Sequence, residues 1–426
     1  MTIMYDFVEK QADNLDDAWS NFDPNFPLEA GSPFFVERDP DPLGSLKRAL
    51  LRRQRMPQKR YIAGFKGAGK STHINQLAAD PDMNEKFFVV DFSIKDTCDE
   101  RNINYVDLLT AIGEKVFETY KDSGGRLDES LYNELQSWET RVTERINSRK
   151  AELQIEAQAG GGINFGVFLA KLTAKSKAEA SSREIIREIL EPQLTELIDI
   201  INLISDGILA KSQKEVLVFV DDTDKPLPDQ ATKLFKDNLS ALLALDMNLV
   251  FTVPVWMCFS EDFPELRGPD VAILPNVRLY NKADLTSMDS QGKATMERFI
   301  FNRMDPSLIE TDAMEKAISA SGGVFREATR ILQMSIDRAQ EDRRELVETS
   351  DVENSLQDLR RDFRRLITGM ESEQIETLRA IGMNKKYQGS ERVGRFLNNL
   401  LVLEYEDDET GENWPDLNPL LRDVIE

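Results

Sequence analysis

"GFKGAGKS", residues 64–71, decides how the rest of the chain is read. Its spacing is G-x-x-x-x-G-K-[ST], running from Gly64 through Gly69 and Lys70 to Ser71. Ahead of it, "KRYIAGF" reads as a short apolar strand ending at Gly64; behind it, "KSTHINQLAAD" reads as a helix opening at Lys70. A bare turn between strand and helix has no use for the Gly-Lys-Ser ending, whereas a phosphate cradle needs it. Glycines at 64, 67 and 69 let successive backbone N–H groups point inward at phosphate oxygens, and the helix behind them adds the positive end of its dipole. Lys70 is expected to reach the β- and γ-phosphates of a nucleotide, and the Ser71 hydroxyl to ligate Mg²⁺. The cradle then comprises Gly64, Phe65, Lys66, Gly67, Ala68, Gly69, Lys70, Ser71 and Thr72.

The composition is compatible with that reading and removes several others. A chain of 426 residues has length for roughly two to four structural units with an ample core. No window approaches the apolar length of a membrane span, and the opening "MTIMYDFVEK" lacks the basic-then-apolar pattern of a signal peptide. The two cysteines, Cys98 and Cys258, stand far apart, which excludes a disulfide framework and Cys-type zinc sites and points to a reducing cytoplasm. The one histidine, His73, lies inside the P-loop helix and is expected to pack there, so most His-based metal and acid–base chemistry is excluded. A net charge of −23 repels polyanions over most of the surface, which counts against a protein built to grip DNA. The basic runs 47–60 and 360–365 read as solvated helix faces.

Along the chain, residues 1–30 are acidic and poorly periodic, a lead-in expected to pack on the P-loop domain. Residues 31–265 alternate strands and helices: "FFVVDFSI" (87–94), "VLVFVDD" (216–222) and "NLVFTV" (248–253) join the first strand in a parallel sheet covered on both faces. Residues 120–212 exceed one crossover and form a helical insertion, with "LYNELQSWETRVTERINSRKAELQIEAQA" a long polar helix and "LTELIDIINLISDGIL" an apolar one. Within the insertion, residues 160–179 fit either an alternating strand through Ile163, Phe165, Val167 and Leu169 or a helical stripe through Phe165, Phe168, Leu169 and Leu172. That segment is either a module for assembly or partner contact or a packing hairpin. Residues 266–369 read as a strand and a helical lid, and 370–426 as helix, helix, strand, tight turn and strand, the order of a winged helix.

Hydrolysis needs more than a cradle. "VLVFVDDTDK" places carboxylates where the sheet edge meets the phosphates: Asp221 is expected to hold the Mg²⁺ shell and Asp222 to polarise the attacking water. Together with "GFKGAGKS", the polar Thr252 ending "VFTVP", and "SGGVFREATRIL" (321–332), this resembles the AAA+ and STAND branch of P-loop ATPases. The Asp-Asp-x-Asp-basic ending is similar to that of the KAP group, and the lid with a winged helix resembles Orc/Cdc6-type initiators. The resemblance covers about residues 32–426 in layout but only four short motifs in detail, and it does not explain the insertion.

The resemblance implies ATP and Mg²⁺ as cofactors, Thr252 as the sensor of the γ-phosphate, Arg326 as a lid arginine contacting it, and Arg267 as an arginine finger acting on a neighbouring subunit, with Arg278 competing for that role. It implies a homo-oligomer and, by analogy with conflict and defence systems, a separate protein effector. Aspartate at 222, where such motors carry glutamate, is one methylene short and implies slow turnover and a switch. The rival reading is a DNA-binding initiator or loader using the winged helix. Against it stand Glu404, Glu406, Asp407, Asp408, Glu409 and Glu412 in the wing, flanked by Leu401, Leu403, Trp414 and Leu417, which suit a packed protein contact.

Overall fold

The computed structural model describes residues 9–52, 55–149, 165–259, 270–387, 390–407 and 410–425. Five parallel strands form the central sheet: β1 (Lys59–Gly64), β2 (Phe87–Ser93), β3 (Glu215–Asp221), β4 (Asn248–Pro254) and β5 (Val271–Leu274). Their order is β2-β3-β4-β1-β5, so β4 stands between the strand that carries the glycine loop and the strand that carries the acids. The apolar run of β3 alternates between two cores. Val216, Val218 and Val220 pack with the insertion helices, while Leu217 and Phe219 pack with Ile74 and Leu77 of the P-loop helix. The strand expected at the head of the lid is β5, and it pairs with β1. The sheet therefore extends past residue 265, and the lid begins after it.

The described part of the insertion consists of helices and the turns that join them. Helices Glu129–Arg149, Phe165–Ala178, Ala180–Leu190 and Leu194–Ser212 cover one face of the sheet with Tyr105–Asp122. From Phe165 onward the ambiguous segment takes the helical alternative, because Trp138 packs against Phe165 and Phe168, with ring centroids 5.9 Å away in both cases. Phe165, Phe168, Leu169 and Leu172 are all buried within this chain, which makes the stripe a packing element; residues 160–164, including Ile163, lie outside the described residues. Among the described residues, no helix is long and apolar enough to cross a membrane.

Helices Ser290–Phe301, Thr311–Ser321, Phe325–Glu341 and Thr349–Thr368 form the lid. The acidic lead-in completes the lid core: Ala12, Leu15, Ala18 and Phe22 pack among Met296, Phe299 and Ile300. Its continuation then crosses to the P-loop helix, where Leu28 N–H donates to Thr72 Oγ1 (3.2 Å) and Phe35 meets the His73 ring edge-on. Burial pushes His73 down to about 4, so it serves as a neutral packing ring.

The C-terminal unit has the expected order and adds a last helix: Ser372–Asn384, Ser390–Asn398, the antiparallel hairpin β6 (Val402–Glu406) and β7 (Asn413–Leu417), then Pro419–Ile425. Leu401, Leu403, Trp414 and Leu417 are buried inside the chain. So is Glu404, which accepts hydrogen bonds from Tyr387 and Asn413. Burial outweighs those bonds and pushes its carboxyl up to about 7.

An acid raised from 4.5 to about 7 costs nothing where both folded and unfolded chains are protonated. The cost grows as pH rises through that window and is complete above it, amounting to about 3 kcal/mol. Glu404→Gln is therefore expected to raise Tm clearly at pH 8 and much less at pH 5, as measured by thermal unfolding. The same Tm difference at both pH values would contradict the buried-carboxyl assignment.

Candidate functional site

The loop between β1 and the helix Lys70–Ala78 is shaped by two left-handed glycines, Gly67 (φ 84°) and Gly69 (φ 94°). These conformations cost a residue bearing a Cβ about 1–2 kcal/mol each. Phe65 and Ala68 are buried beneath the loop and fix it to the core. Lys70 is 6% exposed, and its ammonium donates to the carbonyls of Gly64 (2.9 Å) and Phe65 (3.0 Å) and pairs with Asp224 Oδ2 at 3.0 Å. Burial lowers its pKa, and Asp224 offsets part of that. For Asp224, burial opposes ionisation, but Lys70 and Lys225 prevail and hold the carboxyl below its usual range.

Lys66, half-buried in the same loop, is lowered by burial and by the charges of Lys225, Lys70 and Arg326. Four cations thus converge on one glycine loop, and an anion placed there relieves their mutual repulsion.

Asp221 ends β3 facing the loop, and Ser71 donates a side-chain hydrogen bond to it; burial and the Asp222 charge raise its pKa. Asp221, Asp222 and Asp224 can each offer an oxygen within 4.8 Å of the others. Hard oxygen donors of this kind, next to a hydroxyl, suit Mg²⁺. Ser71 and Asp221 would hold it, and when bound it would supply positive charge that offsets that of the phosphates.

The remaining expected residues divide by geometry. Asp222 takes a left-handed conformation (φ 61°) that turns its carboxylate to Ser93 (2.7 Å) and Lys95 (3.1 Å) at the end of β2. Thr252 is fully buried, and its hydroxyl lies 3.2 Å from that of Thr223. It comes next after Phe251, which pairs with Val220, and so stands beside Asp221 at the sheet edge. Thr72 is engaged by Leu28.

Arg326 opens the lid helix Phe325–Glu341 directly on the loop, its N–H 3.4 Å from the Gly67 carbonyl. Arg278 pairs with Asp289 (3.3 Å) of its own chain. Arg267 lies outside the described residues. Sequence reasoning missed Asp224 and Lys225 as members of the site, although the "DDTDK" ending carried both.

These features define the class: an α/β P-loop fold with a helical insertion and a helical lid in which the first turn of Phe325–Glu341 rests on the loop. No family model and no curated protein matches the sequence. Among solved structures, the chain is similar to Cdc6p from Pyrobaculum aerophilum, at 12% identity and TM-score 0.41, covering 95% of this chain and 96% of that one. It is also similar to a chain of Drosophila ORC bound to DNA (12%, TM-score 0.43, covering 98% and 93%) and to the Thermotoga maritima RuvB Holliday junction branch migration motor (12%, TM-score 0.36, covering 92% and 95%).

The two left-handed glycines offer a test of the lid contact. A Cβ on Gly67 would lie 2.3 Å from Arg326 Cβ, whereas one on Gly69 meets nothing nearer than His73 at 3.8 Å. Both alanine variants carry the backbone strain, but only Gly67→Ala also pushes the lid. Gly67→Ala is expected to lower Tm by several degrees more than Gly69→Ala; equal losses would show that the lid does not rest on the loop.

Proposed function

We propose that the protein binds ATP with Mg²⁺ between the glycine loop and the lid, hydrolyses it slowly, and uses the nucleotide state as an assembly or signalling switch. The observation that carries this reading is the seat of Arg326 on Gly67, beside the buried Lys70. Phosphates entering the cradle meet Lys66, Lys70 and the start of the lid helix together, so occupancy biases the lid.

The bias has a route onward. Gly323 sits in a left-handed turn just before that helix, accepting from Val277 N–H (3.1 Å), and Tyr405 of the C-terminal hairpin donates to the Gly322 carbonyl (2.8 Å). A lid movement is therefore felt at the hairpin, where a new surface for a second copy or a separate effector protein can form. Roles for Thr252 in reading the γ-phosphate through Thr223, and for Arg267 in acting on a neighbouring subunit, belong to the same proposal. The hairpin's burial within the chain favours this switch over a DNA-gripping initiator.

Lys70→Ala removes the ammonium aimed at the terminal phosphates. With charged hydrogen bonds contributing about 1.5–3 kcal/mol, ATP affinity is expected to fall roughly 10–100-fold in calorimetry. The wild type is expected to turn over well below the ~10 s⁻¹ median of enzymes, and to gain particle mass with ATP and Mg²⁺. Undiminished affinity in the variant would defeat the nucleotide site; a monomer in every nucleotide state would defeat the assembly switch.

A further inference from the structure

The turn after β3 gives its carboxylates different partners. Both oxygens of Asp222 are taken: Ser93 Oγ donates to Oδ2 at 2.7 Å, and Lys95 Nζ pairs with Oδ1 at 3.1 Å. Two residues on, Asp224 points back to the cradle. Its Oδ2 lies 3.0 Å from Lys70 Nζ and 3.5 Å from Lys225 Nζ, while its Oδ1 is buried without a hydrogen-bond partner among the described residues. The intervening Thr223 is fully buried, and its hydroxyl donates to the Thr252 carbonyl, which pins the turn to β4. A buried carboxylate oxygen left open beside a phosphate-binding lysine calls for a partner that arrives with the ligand.

The distances say what fits. Two acceptors on one ammonium, each about 2.9 Å away at a roughly tetrahedral angle, stand about 4.7 Å apart. A single water at about 2.8 Å from each spans that gap. With a γ-phosphate oxygen on Lys70, a water held by Asp224 is therefore placed against the phosphate.

We propose that Asp224, and not Asp222, is the catalytic carboxylate that orients and activates the attacking water. This assignment rests on the ATP-site reading above. The water oxygen forms its bond to the γ-phosphorus as the bond from that phosphorus to the β,γ-bridging oxygen breaks, and the electron pair of that bond leaves with ADP. The proton displaced from the water passes to Asp224 and then to the released phosphate. Before nucleotide arrives, the same carboxylate is the counter-ion of Lys70, so a phosphate oxygen must compete with it for the ammonium charge and then share the ammonium with it, taking a donor that now serves a backbone carbonyl. Asp224 thus opposes binding while supporting turnover, and a purely structural residue has no such double effect.

The test compares ATP affinity, single-turnover hydrolysis and thermal unfolding for wild type, Asp224→Asn, Asp224→Glu and Asp222→Asn, with ATP and Mg²⁺ as ligands. Asp224→Asn is expected to bind ATP as tightly as wild type or several-fold tighter and to hydrolyse it about 10²–10⁴-fold more slowly, a larger loss than in Asp222→Asn. Asp224→Glu, which restores the base on a longer arm, is expected to recover part of the rate, and it decides the matter if the asparagine variant does not fold. Hydrolysis in Asp224→Asn within threefold of wild type, a larger loss in Asp222→Asn, or failure of a folded Asp224→Asn to bind ATP would overturn the assignment while leaving the nucleotide site standing. A wild type that binds ATP without hydrolysing it would also overturn the assignment, and one that does not bind ATP at all would overturn both.

Discussion

A lysine ammonium enclosed by backbone carbonyls and a single carboxylate is the constraint on which this molecule is arranged. Lys70 cannot be left uncompensated at 6% exposure, because a buried unpaired charge costs several kcal/mol. Asp224 supplies the compensation; its turn is held by Thr223, whose hydroxyl donates to the Thr252 carbonyl of β4, and Lys225 approaches it. The strand order answers the same need. With β4 between β1 and β3, Asp221 at the end of β3 meets the Ser71 hydroxyl and Asp224 meets Lys70 in the helix that leaves the glycine loop. Lys66, Lys225 and Arg326 crowd the same loop, so the region carries more positive charge than its own acid relieves.

The elements beyond the loop are joined to it by contacts of low tolerance. Gly67 has no room for a side chain beneath Arg326, and a Cβ on Gly323 would strike the Val277 carbonyl oxygen at 1.8 Å. The lid helix between these two points is fixed at its first turn by backbone on both sides. The hairpin then bonds the same turn through Tyr405, with Val324, Leu403 and Trp414 packed around it. The acidic lead-in adds a second tie, since it packs in the lid core at Phe22 and reaches the P-loop helix at Leu28. Loop, lid and C-terminal unit therefore all meet at the short segment Gly322–Arg326.

Much of this was legible in the sequence, for identifiable reasons. The doubly buried β3 shows as an unbroken apolar run, and the glycine loop shows as a spacing that few other structures require. Alternation failed at the end of β3, where the left-handed backbone of Asp222 reverses the pattern, so the sequence could not tell which acid faces the lysine. The helix from Phe165 was ambiguous because its choice depends on a distant ring, Trp138. β5 is only four residues long and says nothing by itself about pairing with β1. Glu404 was hidden among the six acids of the wing, yet it is buried against Tyr387, a partner that no local pattern announces.

In the proposed switch, phosphate occupancy reaches the lid through the Arg326–Gly67 contact. Hydrogen exchange of the segment 320–330, monitored by mass spectrometry in full-length protein with and without ATP and Mg²⁺, tests it most directly. A clear change in protection of that segment on ATP binding is expected, with a smaller companion change in the hairpin strands Val402–Glu406 and Asn413–Leu417. Saturating ATP that alters exchange in the glycine loop but leaves 320–330 and the hairpin untouched would contradict it.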